Sequence, residues 1–249
     1  MIEKLSNLTK KQKLITLITG GVLILLLLIF IINYFVEINR ENATSIVKGV
    51  DVSAYQGDID WKTLESQDIY FAYIKATEGQ DYTDEKFETN WKNIDSTGIR
   101  KGAYMFYMFD EDGKKQADYF IKQVDNDKDN LPPVIDFELY GDYLNNPLDK
   151  SQVLDNLNKT VQALKDNYDK EPIIYTNYLT YNTYLKNDFK ELDIWICDLD
   201  EAEPDLSGSH SWKFWQYSQR GILSGYSGSE RFIDMNIYNG SLRDFNKEY

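Results

Sequence analysis

The chain has 249 residues, with 41 Asp and Glu against 27 Lys and Arg, giving a formal net charge of −14. That balance excludes a nucleic-acid binder, which needs a basic face to displace counterions from phosphate. The single cysteine, Cys197, and single histidine, His210, exclude an internal disulfide framework and a Cys- or His-built metal site, and they speak against histidine general-base catalysis. No metal and no cofactor are therefore expected.

The first element in chain order is apolar. Leu14 to Val36 is uncharged, and Val22 to Ile32 is almost wholly Leu and Ile. Such a length spans a bilayer as a helix. Lys4, Lys10, Lys11 and Lys13 precede it, so the positive-inside rule predicts a cytoplasmic N-terminus and an extracellular remainder. Tyr34 and Phe35 are placed to anchor the outer interface. A cleaved signal peptide is the competing reading. The apolar stretch is long for that, and no A-x-A site follows. The expected division is a basic cytoplasmic tail at 1–13, a single-pass signal anchor at 14–36, a polar tether at 37–47 and one domain at 48–249.

From Lys48 a rhythm begins. Short apolar runs predict eight strands: Gly49–Ser53, Ile69–Lys75, Gly102–Tyr107, Pro133–Glu138, Pro172–Asn177, Asp193–Cys197, Trp212–Tyr217 and Phe232–Tyr238. Helical patterns lie between the early ones, over Trp61–Ser66, Asp84–Ser96, Lys114–Val124 and Ser151–Tyr168. In the last, Leu154, Leu157, Val161 and Leu164 form a stripe, and Ser151 is positioned to cap it. The fold class is α/β: a single β/α barrel of eight strands. Its last three strands leave little room for helices, so the wrapping should be incomplete.

The fourth strand carries the sharpest signal. Leu131-Pro132-Pro133-Val134-Ile135-Asp136-Phe137-Glu138 reads as a buried strand ending in two carboxylates spaced i, i+2. That spacing puts both on one face. Two adjacent acids at an apolar strand end raise each other's pKa, and burial raises it further. A neutral carboxyl beside a charged one is what glycosidic cleavage uses; a salt-bridged pair is the structural alternative. Asp51 and Asp234 lie in the first and last strands, which are neighbours in a closed barrel. All four acids can then share one mouth. Tyr55, Tyr104, Tyr107, Tyr175, Trp195 and Trp215 flank the strand ends and suit sugar faces, with Phe106, Tyr140, Tyr178 and Tyr217 nearby. Cys197 lies inside an apolar run and reads as an inert buried thiol. Asp125-x-Asp127-x-Asp129 starts like a calcium loop, but Asn130 stands at the sixth position and Asp136 at the twelfth, so it reads as a solvated acidic loop.

Taken in order, the segments resemble the family 25 glycoside hydrolases, muramidases that cut bacterial peptidoglycan. The matching pieces are Gly49 to Gly57 with Ile59-Asp60-Trp61, Tyr73 to Gly79, Gly98 with Gly102-Ala103-Tyr104, Gln116-Ala117 with Phe120, Pro133 to Glu138, Ile174-Tyr175-Thr176, Trp195, Trp215-Gln216-Tyr217 and Asp234-Met235-Asn236. The resemblance implies a partly helix-wrapped barrel, Glu138 as proton donor with Asp136 as partner, Asp51 and Asp234 as further active-site acids, and Gln216 among the substrate-binding residues. It departs at Met105, where the family commonly has His near the site. The expected substrate is the glycan strand of peptidoglycan, and the expected state a monomer. Two other classes stand beside this one: a non-catalytic wall-glycan-binding barrel, and a Cys-dependent wall peptidase or amidase.

Overall fold

The computed structural model describes residues 9–200, 202–206 and 210–249. Lys4 and the start of the expected tail lie outside the described residues. Helix α1 runs from Lys10 to Thr44. Its Thr19–Val36 stretch is the candidate bilayer span, with mean hydropathy 2.5 and no burial against the rest of the chain. The helix continues through most of the expected tether. Residues 37–44 contain neither Pro nor Gly, so nothing stops the helix, and only Ser45 separates it from the first strand.

Among the described residues nine strands follow: β1 (Ile46–Val52), β2 (Ile69–Glu78), β3 (Tyr82–Thr83), β4 (Arg100–Phe106), β5 (Val134–Asp136), β6 (Ile173–Asn177), β7 (Ile194–Cys197), β8 (Trp212–Gly221) and β9 (Ile233–Ser241). Eight of them close into a ring in the order β1-β2-β4-β5-β6-β7-β8-β9, and the two-residue β3 pairs only with the end of β2. The expected eight strands are these eight. β1 to β8 are parallel to their neighbours around the ring. β9 is antiparallel to both β8 and β1, unlike the last strand of an all-parallel barrel.

Side chains alternate across the wall. Inward-facing Val47, Phe71, Tyr73, Val134, Trp195 and Phe214 form one core. Outward-facing Val50, Ile74, Met105, Ile135, Phe137 and Ile196 form another, packed under the helices. Both faces of these parallel strands are buried, which explains their near-continuous apolar runs. Two glycines make the inner packing possible. A Cβ on Gly49 would lie 2.4 Å from the Phe71 ring, and one on Gly102 would lie 2.2 Å from Tyr73 Cε1. Their absent side chains let two aromatic rings fill the barrel axis.

The helices α2 (Trp61–Glu65), α3 (Phe87–Asn93), α4 (Gly113–Gln123) and α5 (Lys150–Tyr168) wrap the first half of the ring. Asp60, Asp112 and Asp149 cap α2, α4 and α5 by accepting from backbone N–H groups three residues on. The α5 cap is thus Asp149 rather than the expected Ser151, and the helix starts one residue earlier. Its stripe is buried as expected at Leu157, Val161 and Leu164. After β6 only the short α6 (Tyr178–Thr180) and a π turn at Tyr181–Leu185 intervene, so the second half is thinly wrapped. Helix α7 (Leu242–Glu248) plugs the barrel floor, where Phe245 meets Phe71 at 5.7 Å between ring centroids.

Candidate active site

The ring brings the four acids to its upper mouth. Asp51 comes near the C-terminal end of β1 and Asp136 ends β5. Asp234 starts β9, and because β9 runs downward its start lies at the mouth, as the Cα partner of Asp51. Glu138 lies two residues beyond the end of β5, but the extended run continues: Phe137 N–H still donates to the Tyr175 carbonyl at 2.8 Å. The alternation therefore persists. Phe137 is fully buried on the outer side, while Asp136 and Glu138 face the same cavity of about 180 Å³ as Asp51 and Asp234.

Asp51 is held by a fixed donor set. Gln216 Nε2 donates to its Oδ2 at 3.0 Å, and Asn236 Nδ2 at 2.7 Å. Neither amide is free to flip. The donor-only Trp195 indole N–H reaches Asn236 Oδ1 at 2.8 Å, and the Tyr175 hydroxyl donates to Gln216 Oε1 at 2.9 Å. Burial raises the Asp51 pKa, while the hydrogen bonds from Asn236, Gln216 and Asp234 pull it back. Asp234 is pushed up to about 8 by burial, by the Asp51 charge and by its hydrogen bond to Asp51. At neutral pH this pair is one carboxylate and one carboxylic acid sharing a proton.

In the other pair burial dominates both members. Burial, then the Glu138 charge, lifts Asp136 well above the usual range, and Lys75 opposes this. Asp136 Oδ1 is buried without a hydrogen-bond partner. Glu138 is also raised by burial, against a hydrogen bond from Asn177. The stronger push falls on the deeper Asp136 rather than on Glu138, which the resemblance makes the proton donor, so the pair retains a proton with either member able to hold it. Asn177 is oriented by its own helix: its Oδ1 accepts from Thr180 N–H at 3.0 Å, capping α6, which leaves Nδ2 to donate to Glu138 Oε1 at 2.7 Å.

Of the expected substrate-binding residues, Tyr104, Tyr175, Trp195 and Gln216 line the cavity. Trp195 is buried and, with Tyr175 and Gln216, spends its polar atoms orienting the Asp51 network. Tyr55 stands 63% exposed on the adjoining cleft. Tyr107 and Trp215 are not at the cavity. Both fall on the outward half of the alternation: Tyr107 packs edge-on against Phe137 in the outer core, and Trp215 donates its N–H to the Asp198 carbonyl at 2.6 Å. Met105 is fully buried on the same outer side and does not line the cavity. Asn177, Asn236 and Lys75 were missed; the first two sit two residues from Tyr175 and Asp234, on the face those residues already marked.

Cys197 faces the interior, where burial raises its thiol to about 12, the opposite of an activated nucleophile. His210 is engaged elsewhere, with Nδ1 against the Tyr181 hydroxyl at 3.1 Å and Nε2 against the Phe189 carbonyl at 3.0 Å. In the Asp125–Asp129 loop, Asp125 accepts from the Trp91 indole at 2.6 Å and Asp127 from Asp129 N–H at 2.9 Å.

A helix-wrapped eight-stranded barrel with four convergent carboxyl groups defines a glycoside-hydrolase type of centre. The glycosyl hydrolases family 25 profile matches residues 50–226. The fold is similar to that of a family 25 glycosyl hydrolase from Bacillus anthracis, with 44% identity, TM-score 0.76, and coverage of 81% of this chain and 92% of that one. A bacterial lysozyme from Streptomyces coelicolor superposes with 33% identity and TM-score 0.72, over 81% of this chain and 95% of the other. Lysozyme M1 of Streptomyces globisporus is 35% identical over 210-odd residues, specifically 213, covering 80% of this chain and 69% of that protein. The chain belongs to family 25 of the glycosyl hydrolases and is a glycoside hydrolase of the lysozyme, or muramidase, kind.

Proposed function

We propose that this enzyme cleaves the β-1,4 bond between N-acetylmuramic acid and N-acetylglucosamine in peptidoglycan, with Glu138 as general acid and Asp136 as its partner. The observation that carries this is the same-wall placement of Asp136 and Glu138 in one cavity, with both pKa values raised. Glu138 is the member nearer solvent, within reach of a glycosidic oxygen entering from outside. Asp136, deeper and with a free oxygen, is suited to orient the substrate's 2-acetamido group for attack on the anomeric carbon. Side chains at i and i+2 have Cβ atoms roughly 6–7 Å apart, which favours this assisting role over direct attack from the opposite face.

The second stereochemical reading has its own support. β9 stands four strands from β5 either way round the ring, so Asp234 and its partner Asp51 face the acid pair across the cavity. Either is placed to activate water there, giving inversion. NMR of the first-formed anomer separates the two: retained β configuration fits acetamido assistance, and an initial α product moves the base role to Asp51 or Asp234. The activity itself is tested by digesting purified wall and reading new reducing ends and fragment masses. New muramic acid reducing ends are expected; no product would indicate a glycan-binding barrel, and free peptides a peptidase or amidase. We place the enzyme on the outer face of the cell membrane, held by α1, because the span is long, uncharged and preceded by lysines.

A further inference from the structure

The central cavity does not end at the acids. It opens toward the β1–β2 side into a cleft shared with Ser53, Tyr55, Lys75, Tyr104 and Phe232. Beyond this the cleft continues past Glu78, Tyr82, Asp84 and Glu85. Among the described residues lining these connected spaces, Lys75 is the one cation. It sits on the inner face of β2 with its side chain 16% exposed, and its Nζ donates to Glu78 Oε2 at 2.8 Å. The same Nζ lies 5.2 Å from the centroid of the Phe106 ring. Phe106 is the Cα partner of Asp136 on the next strand.

A lysine largely removed from water loses hydration and rotamer entropy, and a surface-type bridge to a half-exposed Glu78 returns little of either. Its placement calls for another reason. The acids facing it supply one. Asp136 is acted on by the charges of Asp51 from β1, Glu78 from β2 and Glu138 beyond β5, and it shares its cavity with Asp234 from β9 and the neutral Tyr104 and Tyr175 from β4 and β6. Without a nearby positive charge, every charged neighbour of Asp136 favours its neutral form, and a neutral Asp136 accepts a substrate N–H far more weakly than a carboxylate does.

We propose that Lys75 is a positioning residue for the acid pair: its ammonium, held between Glu78 and Phe106, keeps Asp136 able to carry charge beside Glu138. The inference rests on Asp136 and Glu138 being the working pair. The direction of the Lys75 effect on Asp136 agrees with it.

The test is the pH dependence of kcat and kcat/KM for the full chain in detergent micelles, on soluble uncross-linked glycan strands. Lys75→Met should move the acid limb upward by at least about half a pH unit, about a threefold loss of kcat/KM on that limb, with KM nearly unchanged. Lys75→Arg should restore the limb. Glu78→Gln, at a half-exposed position, removes a negative charge and frees the ammonium, so it should move the limb downward. An acid limb that stays fixed in Lys75→Met, or in Glu78→Gln should Lys75→Met not fold, overturns the proposal. So does a Lys75→Met loss confined to KM or to thermal stability. An inactive wild-type chain would sink the parent function, and this role with it.

Discussion

Asp51 and Asp234 face each other across the seam that closes the barrel, as Cα partners on antiparallel strands lining one cavity. Two acids stay that close because one keeps its proton. Asp234 titrates at about 8 in the fold and near 4 in an unfolded chain, as about expected for a free aspartate. The folded state thus holds an extra proton between those values. The stability this contributes is complete below about pH 4 and is lost as pH rises through about 8. Asp234→Asn can still donate to Asp51 and has no proton to lose. Thermal melts followed by circular dichroism from pH 5 to 9 should show the wild type losing stability relative to the variant as pH rises, by roughly 4 kcal/mol between about pH 5 and 8 at about 1.4 kcal/mol per unit. A difference that does not change with pH would refute the shared proton.

Glu138→Gln should lose nearly all activity, on the order of 10²- to 10⁴-fold, because an amide cannot protonate the leaving oxygen. Asp136→Asn should lose a large part but less. Glycan binding, measured by calorimetry with soluble strands, should survive in both. Full activity in Glu138→Gln would displace it as the acid.

The close approach at Gly102 makes a packing prediction. A methyl there would meet the Tyr73 ring at 2.2 Å, with Leu131 Cβ at 3.0 Å on the other side. Gly102→Ala should destabilise the barrel by ~1–3 kcal/mol, the usual cost of overpacking. Adding Tyr73→Leu should recover part of that loss in urea melts. If the single variant is as stable as wild type, the inner core is looser than the packing implies.

The apolar part of α1 should keep the protein in membrane fractions, and protease added to intact protoplasts should digest residues 48–249. A soluble product starting after residue 33 in untreated cells would instead mark α1 as a cleaved signal.

Much of this was legible in the chain because strand periodicity is two. The i, i+2 spacing of Asp136 and Glu138 alone put them on one wall, and the apolar runs marked all eight ring strands. The same periodicity, counted from Tyr104 and Gln216, turns Tyr107 and Trp215 outward; composition alone could not show this because a strand's aromatics look alike from either face. The direction of β9 was not readable, since ladder sense is set by connection geometry and not by composition. Asn177 and Asn236 were silent for another reason. An amide's role depends on what fills its carbonyl, here Thr180 N–H and the Trp195 indole. Ser151 lost the cap of α5 to Asp149 because both are good caps and sequence alone does not choose between them.

The reversed last strand also decides where the chain leaves the barrel. An all-parallel ring would deliver the end of its last strand to the rim beside the acids. Here Ser241 finishes at the floor, as the ladder partner of Ile46, where the first strand begins. Among the described residues bordering the cleft, the turn at Gly228 is tied down, its N–H fastened to the Gln56 carbonyl at 2.9 Å. Anything fused ahead of Ile46 or beyond Tyr249 starts from the far side, so cargo, tags or further modules can be added at either position while the cutting edge stays open.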